Sequence, residues 1–375
     1  FIMKLIYRPE IDGLRAIAVV SVILYHFQIS ILDYQTFSGG FIGVDIFFVI
    51  SGYLITLIIL KELVTTGKFS FKFFYERRIR RLIPLLLVVI IITIPFALYY
   101  LLPNDLMDYS KSIIYSLFFG SNFYFHHVSQ QYGAESALYI PFLHTWSLSI
   151  EEQYYLLFPV ILILLFKYLN KYLIYLLIFG FVFSLFIADW GSRNHPSFNF
   201  YILPARGWEL LAGSILAYFE VKFGKMNKNN FLNIILPSIG LFLICHSIIF
   251  FNDEMFHPSF YTLSPVIGTC LIIWFANKKE FITQILSSKI FVGVGLISYS
   301  LYLWHYPILV FYNIMDKIYF GSFDKLASLI AILFLSILSY FYIEKPSRNK
   351  KYKFRFIFVP MIFISFMILV FNLII

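Results

Sequence analysis

The chain has 375 residues, of which 60% are hydrophobic and only 13% charged, and its formal net charge is +9. Soluble domains contain about 45–50% apolar residues, so a soluble globule is excluded. Disorder is excluded because disordered chains combine low hydropathy with high charge. Two cysteines, Cys245 and Cys270, both within apolar runs, do not make a disulfide scaffold. The composition therefore predicts an all-α, polytopic membrane protein.

Apolar runs of membrane-spanning length recur along the chain and predict eleven transmembrane helices. The predicted spans are Leu14–Leu32, Val44–Leu60, Leu82–Leu102, Leu148–Phe166, Leu173–Ala188, Leu203–Phe219, Phe231–Phe251, Tyr261–Ala276, Phe291–Ile314, Leu326–Tyr342 and Phe356–Ile375.

Basic residues predict the orientation of these spans. If the N-terminus is cytoplasmic, 24 of the 29 Lys and Arg residues lie in inner segments and four in outer ones. Cytoplasmic loops are rich in Lys and Arg, so we expect the N-terminus inside and the C-terminus outside. The excess positive charge then belongs to the inner loops, and no nucleic-acid partner is expected.

A twelfth run, Ser112–Phe125, is short and would invert the orientation of every later loop if it crossed the membrane. We interpret it as a re-entrant element of an outer segment near residues 103–147.

Ionisable residues within spans are functional candidates because burying them in hydrocarbon is costly. His26 follows Arg15 by eleven residues, about 16 Å of helix, which places Arg15 near the inner face and His26 within the membrane. Asp45, near the outer rim of the second span, is a candidate to orient His26. The alternatives are a hydrogen-bonded core histidine for His26 and a favourable helix N-terminal carboxylate for Asp45. Four glycines near Asp45 predict close helix packing; they are Gly39, Gly40, Gly43 and Gly52.

Four arginines lie at the inner mouth of the third span, Arg77, Arg78, Arg80 and Arg81. Guanidinium groups match phosphate better than ammonium groups do, so a phosphorylated cytoplasmic ligand is one interpretation. The alternative is a topological anchor or a contact with anionic lipids.

Two adjacent carboxylates, Glu151 and Glu152, begin the fourth span and are candidates for acid–base chemistry or for binding sugar hydroxyls. Only one of them can face inward on a helix. The spacing of Ser149 and Glu152 also fits a capping box. His305 lies among tyrosines that could form an interface belt, and Arg206 is spaced to pair with Glu209.

Taken together, these segments resemble the acyltransferase-3 family of membrane acyltransferases over residues 7–348. The matching stretches are Asp12–Arg15 with His26, Gly43–Tyr53, Arg77–Pro84, His144–Gln153, Ser298–His305 and Tyr342–Arg348. The family's terminal Glu-Arg-Pro-Phe-Arg pattern is altered here at Lys345 and Ser347.

The resemblance implies transfer of an acyl group, usually acetyl, from cytoplasmic acyl-coenzyme A to a hydroxyl of an envelope carbohydrate. It assigns Arg15 and His26 to the family's Arg–His motif and the arginine cluster to the acyl-coenzyme A phosphates. Glu151 or Glu152 becomes the outer carboxylate, and His26 acts as general base or covalent acyl carrier. It implies a multi-pass protein of the bacterial inner (cytoplasmic) membrane in contact with lipids, and no metal.

The expected acceptor is lipopolysaccharide O-antigen, because the extra last span and the segment Tyr7–Arg15 resemble O-antigen acetylases more than peptidoglycan acetylases. The alternative acceptor is peptidoglycan or another exopolysaccharide. A second alternative is a polar-solute transporter or flippase, but such proteins are built from internal repeats and none is evident.

The expected organisation is a ten-span acyltransferase core over residues 7–348, followed by a linker and an eleventh helix in residues 349–375. In the family such a helix leads to an exported domain of the Ser-Gly-Asn-His type, which these residues do not contain.

Overall fold

A computed structural model describes residues 7–31, 34–130, 139–224, 230–278, 280–318 and 325–374. Within these ranges the regular secondary structure is helical, as predicted, apart from one antiparallel pair of two-residue strands, β1 Ser30–Ile31 and β2 Tyr34–Gln35. Residues 131–138 of the predicted re-entrant segment lie outside the described residues.

The α-helices occur in the following order: α1 Pro9–His26, α2 Gly43–Thr66, α3 Phe71–Tyr100, α4 Pro103–Leu117, α5 Ser121–Ser129, α6 Thr145–Tyr168, α7 Leu173–Asn194, α8 Pro196–Tyr201, α9 Leu203–Phe223, α10 Asn230–Phe250, α11 Leu263–Phe275, α12 Phe281–Leu286, α13 Lys289–Leu296, α14 Ser298–Ile318, α15 Lys325–Ser339, α16 Lys345–Ser347 and α17 Phe354–Ile374. A π-helical turn, Tyr340–Glu344, joins α15 to α16, and short 3-10 turns precede α2, α7 and α11.

Seven helices in the described part of the chain are long and apolar enough to cross a membrane, namely α2, α3, α6, α7, α10, α15 with its π-helical extension, and α17. The predicted span Phe291–Ile314 is divided between two helices, α13 and α14, which together are long and apolar enough to cross a membrane. The other predicted spans correspond to α1, α9 and α11. The first two are rich in ionisable residues and α11 has only 13 residues, so length and composition support fewer crossings than the predicted eleven.

The chain divides into two compact units. Unit 1 comprises residues 1–69 and 150–298, and unit 2 comprises residues 70–149 and 299–375. The first turn of α6 belongs to unit 2 and the rest of that helix to unit 1.

Glycines let the helices of unit 1 touch backbone to backbone, as the sequence predicts. A Cβ atom at Gly52 of α2 would lie 1.8 Å from the carbonyl oxygen of Leu210 in α9. From the other side, a Cβ at Gly213 would lie 2.0 Å from the carbonyl oxygen of Val49. Such small-residue contacts are a main source of helix association in membranes, and they fix α9 against α2.

Unit 2 is held by side chains that bridge distant helices. Its apolar core includes Leu85 of α3, Phe142 before α6, and Trp304 of α14. The Trp304 indole donates a hydrogen bond to Ser339 Oγ over 2.8 Å, and the Tyr299 hydroxyl donates to the Leu82 carbonyl over 2.8 Å. These bonds satisfy polar groups that would otherwise be costly to bury in an apolar environment.

The Gly52 contact gives a direct test of this packing. We expect Gly52→Ala to destabilise the protein by about 3 kcal/mol, the upper end of typical overpacking costs, because only backbone shifts could relieve the clash. The measurement is the midpoint of heat denaturation in detergent, followed by fluorescence-detected size exclusion. Gly293→Ala is the matched control, because nothing lies within 4 Å of a Cβ placed there and alanine favours a helix. Equal melting of the two variants would contradict the packing.

Candidate functional site

The site in unit 1 begins with His26, the last residue of α1. Its ring is partly buried, and one ring nitrogen is hydrogen-bonded to the backbone of Val22, one turn earlier. A neutral imidazole that donates through one nitrogen presents the other as an acceptor. This form has the chemistry that a general base or an acyl acceptor needs.

The surroundings of His26 come from its own helix and from two distant segments. The neighbouring Tyr25 ring lies edge-on to His26 at 5.1 Å and to Phe41 at 5.7 Å between ring centroids. The Tyr25 hydroxyl donates to Asp253 Oδ1 over 2.6 Å. Asp253 belongs to the loop between α10 and α11, residues 251–259, which we call the 251–259 loop. No motif predicts this contact, because the two residues are 228 positions apart in the sequence.

A buried charge cluster lies on the other side of Phe41 and is formed by Asp45 of α2, Arg206 and Glu209 of α9, and His257 of the 251–259 loop. Arg206 Nη1 is 2.9 Å from Asp45 Oδ1 and 3.0 Å from Glu209 Oε1, and these three side chains have no exposed area. His257 is 9% exposed, and its Nε2 lies 3.1 Å from Asp45 Oδ2. The Phe41 ring contacts the His257 ring edge-on at 4.8 Å.

The protonation of His257 follows from these contacts. Burial lowers the pKa of His257, and the Arg206 guanidinium lowers it further against the opposing effect of Asp45. The neutral ring can donate from Nε2 to Asp45 and accept at Nδ1 from Arg206 Nη2, which is 3.2 Å away. This tautomer satisfies both neighbours at once.

The predicted partner of Asp45 is therefore wrong, although the predicted Arg206–Glu209 pair is confirmed. Asp45 is a candidate from the sequence either to orient His26 or to lie as a carboxylate at a helix N-terminus. It lies in the first turn of α2, and its oxygens contact Arg206 and His257 rather than His26. The physical reason is that a buried guanidinium competes for the carboxylate and gives a stronger, charge-assisted hydrogen bond. His257 was missed because it lies in a loop without a recognisable motif.

Glu151 and Glu152 lie within α6, which begins at Thr145. The predicted capping box is therefore wrong, because Ser149 and Glu152 are inside the helix rather than at its start. Glu151 accepts a hydrogen bond from Ser51 Oγ of α2 over 2.8 Å. Both glutamates are half-buried, and Glu151 is the one that faces α2.

The arginines of α3 in unit 2 differ in their contacts. Arg80 is buried, and its Nε donates to Glu76 over 2.9 Å. Its other nitrogens donate to the main-chain carbonyls of Ser347 and Tyr352 over 3.3 and 2.9 Å. Arg80 thus holds the segment before α17 against α3. The remaining three, Arg77, Arg78 and Arg81, are half-buried. In unit 1, Arg15 forms an ion pair with Asp12 at 2.8 Å.

His305 lies in a buried cluster of unit 2 rather than in an interface belt. His144 and His305 have ring centroids 5.3 Å apart, and both are buried. His305 Nδ1 donates to the Tyr302 carbonyl over 2.6 Å, and the Tyr302 hydroxyl donates to the His144 carbonyl over 2.8 Å. Belt residues face lipid headgroups, so the burial of Tyr302 and its neighbours contradicts that interpretation.

These observations define an all-α membrane protein that buries charged and imidazole groups among its helices. The chain matches the acyltransferase-3 family, described as an acyltransferase domain, over residues 8–345. It belongs to that family, and the predicted resemblance is confirmed.

Two relatives of known name are similar to this chain over most of its length. The chain is 36% identical over 373 residues to the O-acetyltransferase OatA of Staphylococcus aureus (strain NCTC 8325 / PS 47), a match that covers 94% of the chain and 59% of the relative. It is 32% identical over 358 residues to the peptidoglycan O-acetyltransferase OatA of Listeria monocytogenes serovar 1/2a, covering 92% of the chain and 56% of the relative. The chain thus spans less than two thirds of the length of these curated relatives. No solved structure matches it at a significant level.

Proposed function

We propose that this chain transfers an acetyl group from acyl-coenzyme A to a hydroxyl of peptidoglycan or a peptidoglycan precursor, as a multi-pass protein of the bacterial cytoplasmic membrane. The observation that carries the proposal is the match of 92% of the chain to a protein named peptidoglycan O-acetyltransferase. This relationship favours peptidoglycan, the alternative acceptor from the sequence, over O-antigen.

The proposed chemistry uses His26 at the reacting thioester. In one version, an imidazole nitrogen removes the proton of the attacking hydroxyl, a new C–O bond forms, and the C–S bond breaks. The coenzyme A thiolate leaves and takes up a proton, so atoms and charge balance. In the other version, the imidazole nitrogen attacks the thioester and the coenzyme A thiolate leaves as the C–S bond breaks. The acetyl group then passes from the imidazole to the hydroxyl, whose proton ends on the thiolate. Both versions need the neutral ring that the hydrogen bond to the Val22 backbone orients.

The proposed donor site uses Arg77, Arg78 and Arg81, the half-buried members of the α3 cluster. Coenzyme A carries several phosphates, and forked guanidinium groups bind phosphate oxygens in pairs. Arg80 is left out of this proposal because its guanidinium already bonds Glu76 and two main-chain carbonyls. Arg15 stays a candidate, although it is paired with Asp12.

Glu151 is proposed to contact the acceptor. Its carboxylate is half-buried on α6 and is oriented by Ser51 Oγ. A fixed carboxylate is a good acceptor for sugar hydroxyls. Glu152, one residue further along, points about 100° away around the helix, so the two need not share a role.

One assay tests the reaction and the acceptor together. Purified protein in lipid nanodiscs is incubated with acetyl-labelled coenzyme A and either peptidoglycan fragments or O-antigen polysaccharide. We expect label to enter an ester of the peptidoglycan fragments and free coenzyme A to appear in equal amount. Transfer only to O-antigen would reverse the choice of acceptor. Movement of a solute across the membrane with no ester formed would favour a transporter.

The donor site is tested by replacing Arg78 and Arg81 together with alanine. We expect acetyl-coenzyme A to bind at least tenfold more weakly, because each lost charge-assisted hydrogen bond contributes about 1.5–3 kcal/mol. Binding is measured by isothermal calorimetry on protein that elutes as a single species. Lys72→Ala removes an exposed charge from the same helix and is the control. If both variants bind acetyl-coenzyme A as tightly as the original chain, the arginines are topological anchors.

The role of His26 is tested with two substitutions. His26→Ala should abolish turnover, and His26→Gln should lower it by about 10²–10⁴-fold, the usual contribution of a general base. Glutamine can keep a structural hydrogen bond but cannot accept the proton at neutral pH, so near-full turnover of His26→Gln would make His26 a core residue. His246→Ala is the control, because His246 is an exposed imidazole on α10. Acetyl-coenzyme A binding should be unchanged in all three variants.

A further inference from the structure

The 251–259 loop is fastened to the helices of unit 1 at two separate points. At one point, Asp253 accepts the hydrogen bond of the Tyr25 hydroxyl over 2.6 Å. At the other point, His257 lies 3.1 Å from Asp45 and 3.2 Å from Arg206. The two attachments are only four residues apart, so a loop fixed at His257 leaves little freedom at Asp253.

The attachment at His257 is the stronger of the two. Asp45 and Arg206 have no exposed area, and their charge-assisted bond cannot exchange with water. His257 completes the hydrogen bonds of both groups, while the Tyr25–Asp253 bond is exposed to solvent. Removing one member of a buried ionic cluster leaves its partners without a hydrogen-bond partner, which is costly. His257 is therefore held in place by its hydrogen bonds to Asp45 and Arg206.

Aromatic contacts continue from this attachment to His26. The Phe41 ring lies 4.8 Å from the His257 ring and 5.7 Å from the Tyr25 ring, edge-on in both cases. The Tyr25 ring then lies 5.1 Å from His26. Close-packed rings transmit displacement because the interior has little space to absorb it.

We propose that Asp45, Arg206 and His257 are positioning residues for His26. They fix the 251–259 loop, whose Asp253 holds the Tyr25 hydroxyl, while Phe41 buttresses the Tyr25 ring beside the imidazole. This inference rests on the proposed catalytic function of His26 and assigns Asp45 a role through His257 and the loop. A misplacement of about 1 Å can lower a rate by about 10²-fold, so loosening the loop lowers turnover without touching the donor.

Variants at His257 separate hydrogen bonding from ring packing. His257→Phe keeps a ring against Phe41 but removes the bonds to Asp45 and Arg206, and we expect kcat to fall about tenfold or more. His257→Gln can still donate to Asp45 and accept from Arg206, so we expect kcat within about threefold of the original chain. KM for acetyl-coenzyme A should stay constant in both. A purely structural role would not separate kcat from KM or be rescued by glutamine.

Variants at the other attachment keep the test decisive if His257→Phe does not fold. Asp253 is exposed, so Asp253→Ala should fold and should lower kcat about tenfold by releasing Tyr25. Glu254→Ala, at the next exposed position of the loop, is the matched control and should leave kcat unchanged. Where both single variants fold, Asp253→Ala combined with His257→Phe should lose less than the product of the single effects, because both act through one loop.

The outcomes distinguish this inference from the proposed function. Full turnover of His26→Gln would overturn the catalytic role of His26 and the inference with it. If His26 is essential but Asp253→Ala keeps the original kcat, the inference alone is wrong. Equal kcat losses in Asp253→Ala and Glu254→Ala would also overturn it, since they would show a general sensitivity of the loop.

Discussion

The buried ion pair between Arg206 and Asp45 is the constraint around which unit 1 is arranged. Removing a guanidinium from water costs several kcal/mol even after the protein relaxes, so α9 can bury Arg206 only where carboxylates meet it. Asp45 from α2 and Glu209 from the next turn of α9 supply them. This requirement fixes the register of α9 against α2, in agreement with the close backbone contact at Gly52 and Gly213.

The same ion pair gives a loop its position. Two carboxylates around one guanidinium leave hydrogen-bonding capacity that a neutral imidazole can share, since it donates at one nitrogen and accepts at the other. His257 has this arrangement. A loop that closed by apolar packing alone could slide, whereas hydrogen bonds between buried groups have strict distances and angles. The hydrogen bonds that satisfy the buried charges of α2 and α9 thus also fix the position of the 251–259 loop near His26.

The sequence predicted the class of fold because composition and apolar run length depend on the membrane rather than on the partners of each residue. It did not predict how many helices are long and apolar enough to cross the membrane. In α1 and α9, ionisable groups interrupt the apolar pattern, and these are the groups that the fold pairs internally, such as Arg15 with Asp12 and Arg206 with Glu209. The break between α13 and α14 was not predicted, because apolar composition continues across it.

The candidate site was only partly predictable for a related reason. His26 and the arginine cluster are candidates from the sequence because an ionisable residue in an apolar run, or a dense run of arginines, stands out locally. Asp253 and His257 do not stand out, because their significance comes from Tyr25 and Asp45, which are 228 and 212 positions away. Arg80 shows the converse: it belongs to a conspicuous run, yet its contacts are with main-chain carbonyls near α17. The sequence thus shows how many guanidinium groups lie at one end of a helix. Only the contacts of each arginine show which of them stabilise the fold.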